Sequence, residues 1–378
     1  MSTESSTWDD PESLFTDDPE RAAKLAALGG ILTGAGARDW AITRDALAEF
    51  LRAERETAGN ALTPAIERLA AIAADVVERH EQRQATGKDV MGHATGLARL
   101  DALLGGLDRG RLTVLLAAPG GGKTTTSNQI AATIAAAGTP ALYITFENTA
   151  DDLILKQIAR LAAKSAADIR RGRVAPAELA AAYGTFQDRA GRHLYYLSGG
   201  AGTTVETIRG AVEQLQRTYP DTYPLVVVDF LQRLATTADV VGRGAGLDDM
   251  RGRVGALAQQ LRGLANDTGC HIWAISSTNR AAYDTAKSTP GLASARESGD
   301  IEFAADAVLT LAPDTKADAA GFTANTDPFV LTIVKNRHGD TGPIALMRER
   351  ATLRMVEADP VPFSQAGRAR AGWSSAAS

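Results

Sequence analysis

The run Ala117-Ala118-Pro119-Gly120-Gly121-Gly122-Lys123-Thr124 decides the fold, because it follows the apolar stretch Leu112 to Leu116 and opens a stretch of helical pattern. Strand, glycine-rich turn and helix in that order are the setting of a phosphate-binding loop. Three consecutive glycines let the backbone curl so that successive N–H groups face phosphate oxygens, and the helix behind them adds the positive end of its dipole. In that reading Pro119, Gly120, Gly121, Gly122, Lys123, Thr124 and Thr125 line a nucleotide, Lys123 reaches the β- and γ-phosphates, and the Thr124 hydroxyl holds Mg²⁺. The octapeptide departs from GxxxxGK[ST] by starting on Ala117, and the same letters also suit a glycine-rich turn with a surface lysine.

Outward from this loop, strands and helices alternate. Candidate strands are Leu112 to Leu116, Ala141 to Phe146, His193 to Leu197, Leu225 to Asp229 and His271 to Ile275, then Ala307 to Leu311, Phe329 to Val334 and Ile344 to Arg348. The cleanest helical stripe carries Leu247, Met250, Val254, Leu257, Ala258, Leu261, Leu264 and Ala265 on one face. Such alternation predicts an α/β fold with a mostly parallel central sheet covered on both faces, and ligands at the carboxyl ends of its strands. The late run of strands with few helices predicts an antiparallel extension. Residues 313–327 read as a polar loop.

A phosphate loop needs a second acid for the metal, supplied from a buried strand end. Leu225-Val226-Val227-Val228-Asp229 has that form, although an Asp at a strand end also serves as a turn or helix cap. Hydrolysis needs a base for the attacking water, and Glu147, closing the strand that follows the loop's helix, is the candidate; adjacent parallel strands end at one edge, which would bring it to the γ-phosphate. A carboxylate beside a helix N-terminus is the plainer reading. Lys335-Asn336-Arg337-His338-Gly339 leaves another strand end with two cations on alternate residues, pointing the same way. Lys335 and Arg337 suit a transition-state clamp, supplied in cis or in trans, or else a solvated basic turn.

Composition bounds the rest. The 378 residues are 44% hydrophobic, enough for a sizeable core, with net charge −5 and pI near 5.7. That charge argues against coating nucleic acid with the whole surface. No apolar run is long enough for a membrane span, and the acidic start lacks a signal-peptide layout. A lone cysteine, Cys270, fits a cytoplasmic protein and a buried, inert thiol. The five histidines show no metal-ligand spacing.

Residues 1–20 carry seven acidic side chains and no basic one and read as a disordered arm. Residues 21–62 read as a small helical segment, and 63–92 as a linker helix capped by Thr63-Pro64. Its stripe of Ile66, Leu69, Ala70, Ala73, Val76 and Val77 packs either on its own domain or on the neighbouring subunit of a ring. Residues 93–357 form the main domain and 358–378 a flexible tail.

Six motifs stand in order: Thr95-Gly96-Leu97 through Leu100-Asp101; the Ala-first phosphate loop; Phe146-Glu147; Val228-Asp229-Phe230-Leu231-Gln232; Arg296-Glu297-Ser298-Gly299 with Ile301-Glu302 and Ala305-Asp306; and Lys335, Arg337 and Gly339. Together they resemble the RecA-like ATPase domain of DnaB-type replicative DNA helicases, from about Thr95 to Met355. The resemblance implies a RecA-like P-loop NTPase core using ATP and Mg²⁺, with Glu147 catalytic and Asp229 as second metal ligand. It implies a homo-oligomer, a hexameric ring, in which Lys335 and Arg337 reach the next subunit's ATP. It implies single-stranded DNA gripped by the loops carrying Arg280, Arg296, Glu297 and Gly299. Where the family has a γ-phosphate-sensing glutamine this chain has Ser277, and its N-terminal part is shorter than the family's helical collar. That segment is a candidate site for a loader or replication partner. The alternative is a KaiC- or RadA-like ATPase that assembles or regulates partners without unwinding; a third reading, a nucleotide-binding adapter, has no need of Glu147.

Overall fold

A computed structural model describes residues 69–86, 91–237, 250–278, 299–314 and 325–358. The chain divides into two units, Met1–Met91 and Gly92–Ser378. In the first, the described part is helix α1 (Leu69–Thr86). Leu69, Ile72 and Val76 are exposed on it and Val77 is buried. The readings made for residues 1–62, Thr63-Pro64, Ile66, Leu247, Arg280, Arg296, Glu297 and the tail beyond residue 358 lie outside the described residues.

The second unit is built on one nine-stranded sheet in the order β3-β2-β4-β5-β1-β6-β7-β8-β9. Its strands are β1 (Leu112–Ala117), β2 (Ala141–Thr145), β3 (Leu194–Ser198), β4 (Leu225–Asp229), β5 (His271–Ser277), β6 (Ala307–Pro313), β7 (Thr326–Asn336), β8 (Gly342–Glu349) and β9 (Met355–Glu357). The first six run parallel. The last three add antiparallel strands beside β6. β6 continues to Pro313 and β7 begins at Thr326, so the polar stretch is shorter than its composition suggested.

β1 and β4 are buried at every position, as expected of parallel strands covered on both faces. Alternate residues feed two cores. Val114, Leu116, Ile144, Val228 and Ile272 face one side, packing with Ile208, Leu257 and Leu261. Leu115, Tyr143, Val227, Trp273 and Ile275 face the other, packing with Ile130, Ile134 and Leu100. The helices concerned are α2 (Ala98–Leu104) and α3 (Lys123–Ala136) on the second face, and on the first α7 (Val205–Thr218) and α9 (Met250–Thr268). Between α3 and α7 come α4 (Ala150–Leu161), α5 (Ala166–Arg170) and α6 (Pro176–Asp188). Thr149 and Thr204 cap α4 and α7 by accepting from backbone N–H groups of their first turns. Two short helices complete the unit, α8 (Leu231–Thr237) after β4 and α10 (Gly299–Ala304) before β6. Cys270 is wholly buried at the start of β5, where burial pushes its thiol up to about 11.

Candidate nucleotide site

The loop between β1 and α3 has the backbone of an anion cradle. Gly122 caps α3 in the left-handed region (φ 84), and no side chain bonds the helix's first N–H groups. A helix start left without a side-chain cap offers those donors to a ligand. Gly122 is also short of room: a Cβ there would lie 2.6 Å from Met355 Cε. Pro119 and Gly120 are exposed, Thr124 and Thr125 half-buried, and Lys123 largely buried, its ammonium 5.6 Å from the Phe230 ring centroid. Burial pulls the Lys123 ammonium below its ordinary value, against the raising effects of Asp229 and Glu147. Lys123, Thr124, Asp229 and Glu147 are thus brought together at the carboxyl edge of the parallel strands.

Asp229 ends β4 and is 2% exposed. Its carboxyl is raised above the usual range, first by burial; the Tyr143 hydroxyl, the Thr124 side chain and the Lys123 ammonium work the other way. Tyr143 Oη donates to Asp229 Oδ2 at 2.7 Å. A buried carboxylate with a hydroxyl and an ammonium at hand has the chemistry of a divalent-cation and phosphate site, so the residues present fit Mg²⁺-bound nucleotide.

Glu147 is exposed two residues beyond Thr145, the register partner of Asp229. The expectation that it reaches the site by strand adjacency needs correcting: β2 is separated from β1 by β4 and β5. It arrives instead because α3 crosses over both strands, which brings β2 to the far side of β4.

The end of β5 is tied to this edge. Gln232 Nε2 donates to Ser276 Oγ (2.9 Å) and the Ser277 carbonyl (3.0 Å), and Ser277 N–H donates back to Gln232 Oε1 (3.1 Å). Thr278 N–H donates to the Ala117 carbonyl at the root of the loop. The departure at Ser277 is therefore compensated in one respect: its backbone is held from the motif that carries Asp229.

Lys335 and Arg337 lie elsewhere. β7 runs antiparallel to β6, and its end pairs Asn336 with Ala307, which in turn pairs with Thr113. They therefore sit at the amino edge of β1, while the phosphate loop leaves the carboxyl edge after Ala117. Strands climb about 3.3 Å per residue, so Thr113 to Ala117 alone spans roughly 13 Å. A bulge between Val308 and Leu309 re-aims the strand end. Lys335 Nζ donates to the carbonyls of Glu302 and, at 2.9 Å, Ala305. Arg337 Nη2 donates to the Phe303 carbonyl at 2.6 Å. Both cations thus cap the negative end of α10. Asn336 points the other way, to the carbonyls of Leu103 and Asp340, so the predicted alternation holds. Gly339 is required by close approach, since a Cβ would lie 2.6 Å from the Leu103 carbonyl oxygen.

Gly299, grouped in the sequence with a DNA-gripping loop, is the first residue of α10, and Asp306, from the same motif, is no loop residue: its side chain is 5% exposed and buried at the amino edge. Sequence reasoning missed Tyr143, whose signal was a phenol in an otherwise apolar buried strand, and the anchoring role of Gln232. It also missed Arg348, which stacks over Phe329 with Cζ 4.8 Å from the ring centroid and reaches to 3.5 Å of the Gly120 carbonyl.

Residues 92–357 match the family described as the DnaB-like helicase C-terminal domain. Among relatives, the replicative DNA helicase DnaC of Bacillus subtilis (strain 168) is 24% identical over 306 residues, covering 80% of this chain and 64% of its own length. The chain thus spans less than two thirds of that relative. Two solved structures share the fold. One, an ATPase domain solved by itself, has a TM-score of 0.65 at 20% identity, covering 76% of this chain and 99% of its own. The other, a DnaB-like replicative helicase solved in a study of its interactions with primase, has a TM-score of 0.64 at 20% identity, covering 90% and 76%.

Proposed function

The chain belongs to the DnaB-like helicase C-terminal domain family, and from that premise we propose that it is an ATP-driven ring helicase or translocase on single-stranded DNA, hydrolysing ATP at the boundary between subunits. In this reading the backbone of Pro119 to Gly122 with Lys123, Thr124 and Thr125 holds the phosphates. Thr124 and Asp229 hold Mg²⁺, which when bound neutralises phosphate charge. Glu147 orients the attacking water and takes its proton. Lys335 and Arg337 of the neighbouring subunit face the transferred phosphoryl group and offset the charge that develops there.

The observation that carries the reading is the placement of these two sets of groups on opposite edges of one sheet. A phosphate loop at the carboxyl edge and two cations at the amino edge cannot serve one nucleotide within a chain. A head-to-tail ring joins one subunit's carboxyl edge to the next subunit's amino edge. The exposed Leu69, Ile72 and Val76 of α1 supply an apolar face for the same neighbour. Arg280, Arg296, Glu297 and Gly299 contact the strand in the ring's channel, each subunit adding a few phosphate contacts, so binding weakens steeply with salt.

The test is the steady-state ATPase rate with and without long single-stranded DNA. The reading predicts stimulation by DNA that Arg296→Ala removes and basal turnover that Arg337→Ala abolishes. Turnover indifferent to DNA sinks the translocase and points to an ATPase that regulates or assembles partners.

A further inference from the structure

Asp306 does nothing in the nucleotide chemistry of its own chain, being at the wrong edge of the sheet. Yet it is among the most completely held acids of the fold. Its backbone N–H donates to the Leu112 carbonyl at 2.8 Å, and Oδ2 accepts from Leu112 N–H at 2.9 Å. Arg262 Nε approaches the same oxygen at 3.1 Å. A carboxylate gripped by strand β1 and helix α9 is a fixed charge.

Its other oxygen, Oδ1, is buried and accepts no hydrogen bond. Arg337 Nη1 and Arg111 Nη1 lie 4.0 Å from it and His338 Nε2 3.6 Å. Arg337 is further tied by its own N–H, which donates to the Asp306 carbonyl at 2.9 Å. Leaving a buried carboxylate oxygen without a donor is costly, so its retention needs a reason. A charge at this distance pulls on the guanidinium without using up its N–H donors. The Arg337 side chain is 42% exposed, free to present Nη1 outward.

We propose that Asp306 is a positioning residue for the clamp supplied in trans: it fixes the base and bearing of Arg337 so that the guanidinium meets the neighbouring subunit's phosphates already oriented. This rests on the trans reading above. A preorganised cation is worth more than a mobile one because no reorganisation remains to be done at the moment of reaction, and small misplacements are expensive. The inference predicts that a subunit altered at Asp306 is defective as a donor of the clamp and sound as a binder of nucleotide.

Mixed rings separate those two properties. Asp306→Asn keeps an acceptor for Leu112 N–H and removes the charge. Alone it should lose turnover by about tenfold or more while keeping its affinity for a fluorescent ATP analogue. Mixed with Lys123→Ala subunits, which have a ruined loop and an intact clamp, it should regain turnover; mixed with Arg337→Ala subunits it should not. Asp306→Ser, a smaller side chain that also accepts from Leu112, is made in parallel and decides the matter if the Asn variant does not fold. Unchanged turnover in the variant alone, or no recovery with Lys123→Ala, overturns the inference, the latter because the damage would lie in the variant's own loop. If Lys123→Ala and Arg337→Ala themselves fail to complement, the trans reading falls first, a distinguishable result.

Discussion

The Tyr143 hydroxyl donates to Asp229 Oδ2 at 2.7 Å, both groups buried, one on β2 and the other at the end of β4. Burial raises the Asp229 carboxyl above its usual range and this bond opposes the rise. Removing the bond must raise it further. Tyr143→Phe should therefore move the acid limb of the kcat/KM profile to higher pH, by about one unit for a hydrogen bond to a charged group. The loss of activity should be larger on the acid side of neutrality than on the alkaline side. A profile with an unmoved acid limb counts against Asp229 acting as the charged metal ligand.

Gly122 combines a left-handed backbone with the close approach of Met355. Gly122→Ala should cost about 1–3 kcal/mol and abolish nucleotide binding. Met355→Ala added to it clears the contact and leaves the backbone cost, so thermal melting of the double variant should recover only in part. Full recovery would mean that crowding, not conformation, selects glycine here.

Gln232 holds both faces of the β5 end, through Ser276 Oγ and the Ser277 backbone. Gln232→Leu leaves those partners without it and should destabilise the protein by about 1–3 kcal/mol. Because the same end reaches Ala117 through Thr278, turnover should fall more than nucleotide affinity does. Ser276→Ala, which removes one of the three bonds, should show a smaller effect in both assays. Equal effects of the two variants on melting and turnover would contradict a shared clamp.

Asp327 is paired with Arg348 at 2.7 Å and Arg350 at 2.6 Å. Its hydrogen bond from Arg350 and those from Arg348 hold the carboxyl below its ordinary value. A lowered folded pKa contributes stability that is complete above the ordinary carboxylate range and is lost as pH falls through the lowered value. Asp327→Asn should cost about 1 kcal/mol at neutral pH, as a partly exposed ion-pair network does, and should flatten the acid end of the melting-temperature curve. Parallel curves for the two proteins would assign the acid sensitivity elsewhere.

The parts of this account that were legible in the sequence are those written in contiguous residues. Leu225 to Asp229 announced both a strand and its terminal acid, and the strand ends where predicted. The eight predicted strands all occur, with β7 extended at both ends because Thr326 to Pro328 pair with β8. β9 was not visible: Met355–Glu357 is too short for a period, and it is held by Gln129, whose side chain bonds the Met355 backbone in both directions. Strand order was equally hidden, since nothing in Glu147 or its neighbours says that β4 and β5 insert between β2 and β1. Asp306 was grouped with a loop because its sequence neighbours are; its burial comes from Leu112 and Arg262, both far away in the chain.

The central claim is that each catalytic site is completed by two subunits, and it is tested most directly by mixing Lys123→Ala with Arg337→Ala and measuring ATP turnover. Each variant alone lacks one half of every site. In a head-to-tail ring, random mixing in equal amounts restores roughly a quarter of the boundaries, each with one intact loop and one intact clamp. The account predicts turnover well above the sum of the separate rates and approaching that fraction of the unaltered protein. A mixture no more active than its components, in rings shown to have exchanged subunits, would contradict it.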